Sequence, residues 1–293
     1  MAVAPPVVLT IAGFDPSSGA GVTADIKTIA AHDCFGVACI TAATVQSTRG
    51  VRRVEPLDPE LISQTLEELA SDLPMAAVHI GMLGSGAAVK AVADFLRQAR
   101  LPHVVLDPVL KSSSGASLLD DAGTRVLIER LVPLSEVITP NLEEAMHLAG
   151  REVSRTLTNA LDRMRATARH LHALGAGNVV VTGGGEGSLD QATDLLSVAG
   201  GGEAEQQVFR AQRVESNSTH GTGCAFSTAL ACHLAHGRAL PEAVLLAKVY
   251  VSAAIANAYP LGHGVGPLHH LYRMAQKSRA KPSVVADEQH SRR

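Results

Sequence analysis

Short apolar runs rich in β-branched residues alternate along this chain with longer segments whose apolar residues recur at helical spacing, and no other feature constrains the fold as tightly. Strands separated by helices long enough to cross over pair in parallel, so the pattern predicts an α/β fold with a mostly parallel sheet wrapped by helices. Expected strands occupy residues 7–12, 37–43, 77–80, 103–107, 137–139 and 178–182. Expected helices occupy 20–32, 59–73, 86–99, 122–131, 142–150, 159–174, 224–236 and 241–258. Residues 195–209, around Gly200-Gly201-Gly202, read as a turn between two antiparallel strands at one edge of the sheet.

A chain of 293 residues with 46% hydrophobic content can bury one large core, and residues 1–275 are expected to form a single domain. Beyond it, Lys277, Arg279, Lys281 and the polar run 287–293 predict a frayed tail over 276–293. The net charge of -3 leaves no basic excess for a nucleic acid backbone, and three Tyr, five Phe and no Trp leave few rings for base stacking. Cys34, Cys39, Cys224 and Cys232 form no CxxC pair, and no apolar run approaches the roughly 18 residues of a membrane span. A reduced, cytoplasmic environment is expected, with no membrane and no nucleic acid as partner.

The strongest chemical signal is Thr219-His220-Gly221-Thr222-Gly223-Cys224, which opens an alanine-rich helix. Free amides at a helix start, the positive end of the dipole and glycines that admit close approach all suit an anion. The same pattern also describes an ordinary Gly-rich helix entry. Cys224 lies in the first turn, where the dipole favours thiolate and a role as base; the other reading is a buried inert thiol, the one given to Cys34, Cys39 and Cys232.

The loop of residues 11–21, including Gly13, joins the first strand to the first helix, at the strand ends where open parallel sheets bind ligands. It is neither a Walker A loop nor a GxGxxG turn. Asp25 on the first helix and Gln46 after the second strand can read the edge of a small heterocycle, or can be solvated residues. Met82, after the third strand, supplies an apolar wall or belongs to the core. Asp107, Asn141 and Glu144 stand at two further strand ends, where carboxylates hold Mg²⁺ beside nucleotide phosphates; the alternatives are a turn former and a helix N-cap. Thr182 and Gly183 begin another strand-end loop able to lie along a nucleotide. His220, His263, His269 and His270 lack metal-ligand spacing and read as structural or solvent-facing.

Eight motifs in register resemble the hydroxymethylpyrimidine/phosphomethylpyrimidine kinase family of thiamine biosynthesis over residues 7–273. They are TIAGxDPSxGAGxxAD at 10–25, QxTxGV at 46–51, IGML at 80–83, LDPV at 106–109, SGxxLL at 114–119, TPNxxE at 139–144, HGTGC at 220–224 and GHGxGPxHH at 262–270. The resemblance implies a ribokinase-like three-layer α/β/α sandwich, transfer of the ATP γ-phosphoryl group to 4-amino-5-hydroxymethyl-2-methylpyrimidine and then to its monophosphate, and a homodimer. By position it implies that Asp25, Gln46, Gly13 and Met82 hold the pyrimidine, and that Gly221, Thr222 and Gly223 form the anion hole with Cys224 as base. Asp107 and Glu144 would serve Mg²⁺, and Asp107, Asn141, Glu144, Thr182, Gly183 and Lys248 the nucleotide. The chain departs from the family at Thr182-Gly183-Gly184-Gly185, where Lys-Gly-Gly-His is usual, at Phe14, where a small polar residue is usual, and at Ser218, where Asn is usual. Pyridoxal kinase, and a non-catalytic pyrimidine-binding protein on the same fold, are the competing readings.

Overall fold

The computed structural model describes residues 3–112, 114–154, 157–183, 190–200 and 204–274. Its strands are β1 (Val7–Phe14), β2 (Phe35–Ser47), β3 (Gly50–Pro56), β4 (Met75–Ile80), β5 (Val104–Leu106), β6 (Val137–Ile138), β7 (Asn178–Thr182), β8 (Gln191–Val198) and β9 (Glu205–Gln212). The helices are α1 (Gly21–Ala31), α2 (Pro59–Asp72), α3 (Gly86–Ala99), α4 (Asp121–Arg130), α5 (Leu142–Ala149), α6 (Ala160–Ala173), α7 (Thr222–Ala235) and α8 (Leu240–Ala256). All eight helices fall within two residues of the bounds that the apolar periodicity predicts. The expected tail at 276–293 lies outside the described residues.

The strands make one sheet in the order β3-β2-β1-β4-β5-β6-β7-β8-β9. The six from β2 to β7 run parallel, while β3 at one edge and β8 and β9 at the other pair antiparallel. Side chains of successive strand residues point to opposite faces. Leu9 and Ile11 of β1 therefore pack with α2 through α6, while Val8 packs with α7 and α8 on the other side. Burial on both faces explains why these strands read as continuous apolar runs. Full burial of each such Val, Leu or Ile contributes roughly 1.5–3 kcal/mol. Helix α7 is buried nearly all round, from Ala225 to Leu234, as an alanine-rich helix without a polar face must be. Among the described residues no helix is long and apolar enough to cross a membrane.

The structure corrects the sequence expectation at β2. That strand continues to Ser47 and turns at Thr48-Arg49 into β3, so Gln46 sits inside a hairpin strand and does not follow one. Beyond Ala43 the hairpin is largely exposed, with Val45 52% accessible, so it needs no apolar run and leaves no hydrophobic pattern to find.

The chain leaves β1 toward β2 on one side and returns to β4 on the other. Such a reversal parts the connections above the strand ends and opens a crevice there. The loops after β1, β4, β5, β6 and β7 and the start of α7 converge on that crevice.

Candidate active site

A cavity of about 420 Å³ occupies the crevice, a size suited to a small-molecule ligand. Gly221, Thr222, Gly223 and Cys224 line it from the start of α7. Gly221 is the N-cap, at φ 83°, and no side chain caps the helix. A Cβ at Gly221 would lie 2.0 Å from the carbonyl oxygen of Gly19, so the loop after β1 and the start of α7 close on each other only through glycine. First-turn amides are thereby left facing a cavity, which is the arrangement that binds anions.

Two acids face that helix start. Asp107, just beyond β5, is buried, and its Oδ2 would be 3.7 Å from a Cβ built at Gly223. Burial pushes its carboxyl up to about 6, against the lowering influence of the His79 charge and a Ser227 hydrogen bond. Glu144 rises to about 8 through burial and the Asp107 charge. Asn141 and Glu144 also form a capping box on α5: Asn141 Oδ1 accepts from the Glu144 amide at 2.9 Å, and Glu144 Oε2 accepts from the Asn141 amide at 3.0 Å. The N-cap reading and the cavity reading of this pair therefore coexist.

Across the cavity lie Gly13, Phe14, Gln46 and Met82. A Cβ at Gly13 would meet Met82 Sδ at 2.9 Å, so the glycine lets the thioether lie flat against the loop. Gln46 Nε2 is 3.1 Å from His220 Nε2, which is 3.0 Å from Asp15 Oδ2. Asp15 also accepts from the Ser17 amide and hydroxyl and from the Ala20 amide, fixing the loop. Burial pushes its carboxyl up, but His220 and Ser17 outweigh this and hold it below the usual range. The sequence reading missed Asp15 as a site residue and took His220 for structural or solvent-facing; both line the cavity, as does Lys111 after β5. The in-register motifs at 10–25 and 220–224 were the available signal for the first two.

Other sequence expectations need correction. Asp25 is not in the cavity wall: it is fully buried, accepting from Thr10 Oγ1 at 2.7 Å and Thr228 Oγ1 at 2.9 Å, with His79 Nδ1 at 3.4 Å. A carboxylate on the inner face of α1 points beneath the loop, toward α7, and its oxygens are already engaged. Lys248 is likewise buried, its ammonium 2.7 Å from Asp194 Oδ2, while Asp194 Oδ1 accepts from the Gly183 amide at 3.1 Å. Thr182 lines the cavity, but Gly183 packs against Met164 and Thr193, where a Cβ would fall 2.2 and 2.3 Å away. Residues 184 and 185 of that loop lie outside the described residues. Ser218 is buried away from the cavity, donating to the Tyr259 carbonyl at 3.4 Å.

The dipole argument for Cys224 also fails in direction. Its thiol is pushed well above the ordinary value, first by burial and then by the charges of Asp107 and Asp25, against the lowering effect of a Gly21 amide hydrogen bond. Burial, with the charges of Asp107, Asp25 and Glu144 added, opposes what a helix start favours. Cys224 is nonetheless the one cysteine of the four that keeps partial exposure, the other three being buried. Cys34, expected to be inert, falls to about 7 through a hydrogen bond from Cys232 and the neighbouring His236, whose Nε2 is 3.3 Å from its sulfur.

Among the described residues no three His, Cys, Asp or Glu side chains converge on a point as a ligand set for a metal. Asp107 and Glu144 instead suit a hard cation that draws its remaining ligands from water and a ligand's phosphates. Burial is the first cause of both raised carboxyls, with the Asp107 charge adding at Glu144, and a bound cation would favour the ionised forms instead.

A family model described as phosphomethylpyrimidine kinase matches residues 15–269. The chain is 41% identical over 264 residues to the thiamine biosynthesis bifunctional protein ThiED of Geobacter sulfurreducens, a match covering 90% of this chain and 52% of that protein. It is 40% identical over 268 residues to the hydroxymethylpyrimidine/phosphomethylpyrimidine kinase of Escherichia coli, covering 90% and 97% of the two chains. Among solved structures it is similar to an ADP complex of Bacillus subtilis pyridoxal kinase, with a TM-score of 0.82 and 33% identity over 92% of this chain and all of that one.

Proposed function

The chain belongs to the phosphomethylpyrimidine kinase family, and on that premise we propose that it transfers the γ-phosphoryl group of ATP to 4-amino-5-hydroxymethyl-2-methylpyrimidine and then to the monophosphate, in thiamine biosynthesis. The observation that carries this reading is the placing, in one cavity, of an uncapped glycine helix start, two acids beside it and an amide with an apolar wall opposite. Gln46 reads the heterocycle edge while Met82, Gly13 and Phe14 hold its face. Asp25 takes no part in that contact. Thr182 and Asn141 border the nucleotide, and the Gly221 to Gly223 amides receive the charge that builds on the migrating phosphoryl group.

Mg²⁺, when bound, would be held by Asp107 and Glu144 and would supply positive charge at the nucleotide phosphates. Neutralising those two acids removes two of the charges that hold the Cys224 thiol up. The thiolate of Cys224, favoured once those charges are neutralised, takes the proton that the primary alcohol loses as it attacks and becomes the thiol. A monophosphate acceptor already carries an anionic oxygen and has less need of this base. Cys224→Ala is therefore expected to slow the first phosphorylation by about 100-fold and the second far less, read as separate kcat values for the two acceptors. Equal losses in both steps would remove Cys224 from the role of base.

Mass analysis after incubation with ATP, Mg²⁺ and the hydroxymethylpyrimidine tests the whole proposal; one and then two added phosphates are expected, and no addition overturns it. The likeness to a pyridoxal kinase favours pyridoxal as a second acceptor, to be separated by comparing kcat/KM for the two. Motif resemblance supports a homodimer, and the four free thiols fit a cytoplasmic location.

A further inference from the structure

Behind the cavity runs a chain of buried polar groups that the proposed reaction does not use directly. Histidine at position 79 is the last residue but one of β4, in the interior of the sheet, with no accessible surface. Its Nδ1 lies 3.2 Å from Thr10 Oγ1 and 3.4 Å from Asp25 Oδ2, and its Nε2 lies 2.9 Å from Ser227 Oγ. Ser227 Oγ in turn is 3.2 Å from Asp107 Oδ2 at the cavity floor. Thr10, Asp25, Ser227 and Thr228 are as fully buried as the ring.

The donors in this chain are constrained. The Thr10 hydroxyl gives its one hydrogen to Asp25, so its oxygen is left to accept from Nδ1–H. The Ser227 hydroxyl also has one hydrogen, with Asp107 Oδ2 and the α7 carbonyls of Gly223 and Cys224 as acceptors at 3.2, 3.0 and 3.1 Å. If Nε2 carries a hydrogen, it donates to Ser227 and leaves the hydroxyl hydrogen for those acceptors. If Nε2 is bare, the hydroxyl is drawn toward the ring and Asp107 loses its donor. Both ring nitrogens donate only in the imidazolium. Burial disfavours that charge, but Asp25, with a smaller contribution from Asp107, overcomes it and holds the ring's pKa above the ordinary value.

We propose that His79 is a positioning residue: as a buried cation paired with Asp25, it turns the Ser227 hydroxyl onto Asp107 and fixes that carboxylate for its work in the cavity. Asp25, expected from sequence to touch substrate, is thereby the counter-ion of the residue that orders the site from behind. A pair this deep is costly to bury without compensation, and the hydrogen bonds from Thr10 and Thr228 to both Asp25 oxygens supply it.

The kinetic part of the test rests on the proposed phosphoryl transfer, and the spectroscopic part does not. In ¹⁵N-histidine-labelled protein, the His79 ring is expected to show both nitrogens protonated at pH 7.5, and Ser227→Ala is expected to perturb the Nε2 resonance selectively. In the kinase assay, His79→Gln is expected to lower kcat by about 10- to 100-fold, the size of one hydrogen bond to a charged group, with the pyrimidine KM changed by less than about twofold. His79→Lys, which restores a buried cation and a donor, is expected to recover most of the kcat. A neutral His79 ring at pH 7.5 overturns the inference, as does equal loss in the Gln and Lys variants. Absence of any phosphorylated product in the wild type would sink the proposed function, while the ring's protonation would still decide the role of His79.

Discussion

Replacing Gly221 with alanine is expected to lower kcat/KM for phosphoryl transfer by about 10³-fold, the upper end for loss of one preorganised anion donor. Two costs combine at this position. The residue holds φ at 83°, where a Cβ costs about 1–2 kcal/mol, and that Cβ would stand 2.0 Å from the Gly19 carbonyl oxygen, a backbone atom with no rotamer to yield. The start of α7 must move away from the loop after β1, and donor geometry moves with it. Gly237, just past the other end of α7, is the matched control: its φ is 75°, and a Cβ there would meet nothing within 4 Å. Gly237→Ala is expected to lower stability by roughly 1 kcal/mol and leave kcat unchanged. Steady-state kinetics and thermal melts of the two variants separate strain from catalysis. Full activity in Gly221→Ala would remove the anion hole from the mechanism.

The second large effect concerns the two acids. Asp107→Asn is expected to lower kcat by about 10³-fold, equivalent to the several kcal/mol that a correctly held cation supplies. The same pair predicts a pH dependence in the ligand-free protein. Asp107 at about 6 and Glu144 at about 8 lie above the roughly 4 of an unfolded carboxyl, so folding favours their protonated forms. That contribution to stability is fully present below the unfolded value and is lost as pH rises through 6 and then 8. A cation that binds the ionised pair restores it. Added Mg²⁺ should therefore raise the melting temperature more at pH 8.5 than at pH 5.5, and Asp107→Asn should shrink that difference. His32, His233 and His270, lowered to about 4 chiefly by burial, destabilise the fold on the acid side instead, and they act alike in both variants. A Mg²⁺ shift of the same size at both pH values would remove these acids from the cation site.

The helices, the parallel strands and the antiparallel far edge were legible in the chain because periodicity is a local property: one buried face recurs every 3.6 residues, or burial on both faces leaves an unbroken apolar run. The glycine start of α7 was legible for the same reason, since a backbone that must approach another chain segment has to lack a Cβ where it does so. The hairpin of β2 and β3 was not, because strands held by edge pairing and open to solvent impose no apolar pattern. Nor did spacing distinguish Gln46, which faces the cavity, from Asp25, which turns beneath it toward Thr10 and Thr228.

What the sequence by itself determined is the class of fold and the strand ends at which the reactive residue types gather. Only the tertiary structure decided their charge states and directions, because these depend on groups far apart in the chain. The Cys224 thiol is pushed up by burial and by the charges of Asp107 and Asp25, Lys248 is engaged by Asp194, and Asp107 is reached from behind by His79 through Ser227. Coulomb energies and desolvation follow distance in space, and a one-dimensional reading contains no such distance.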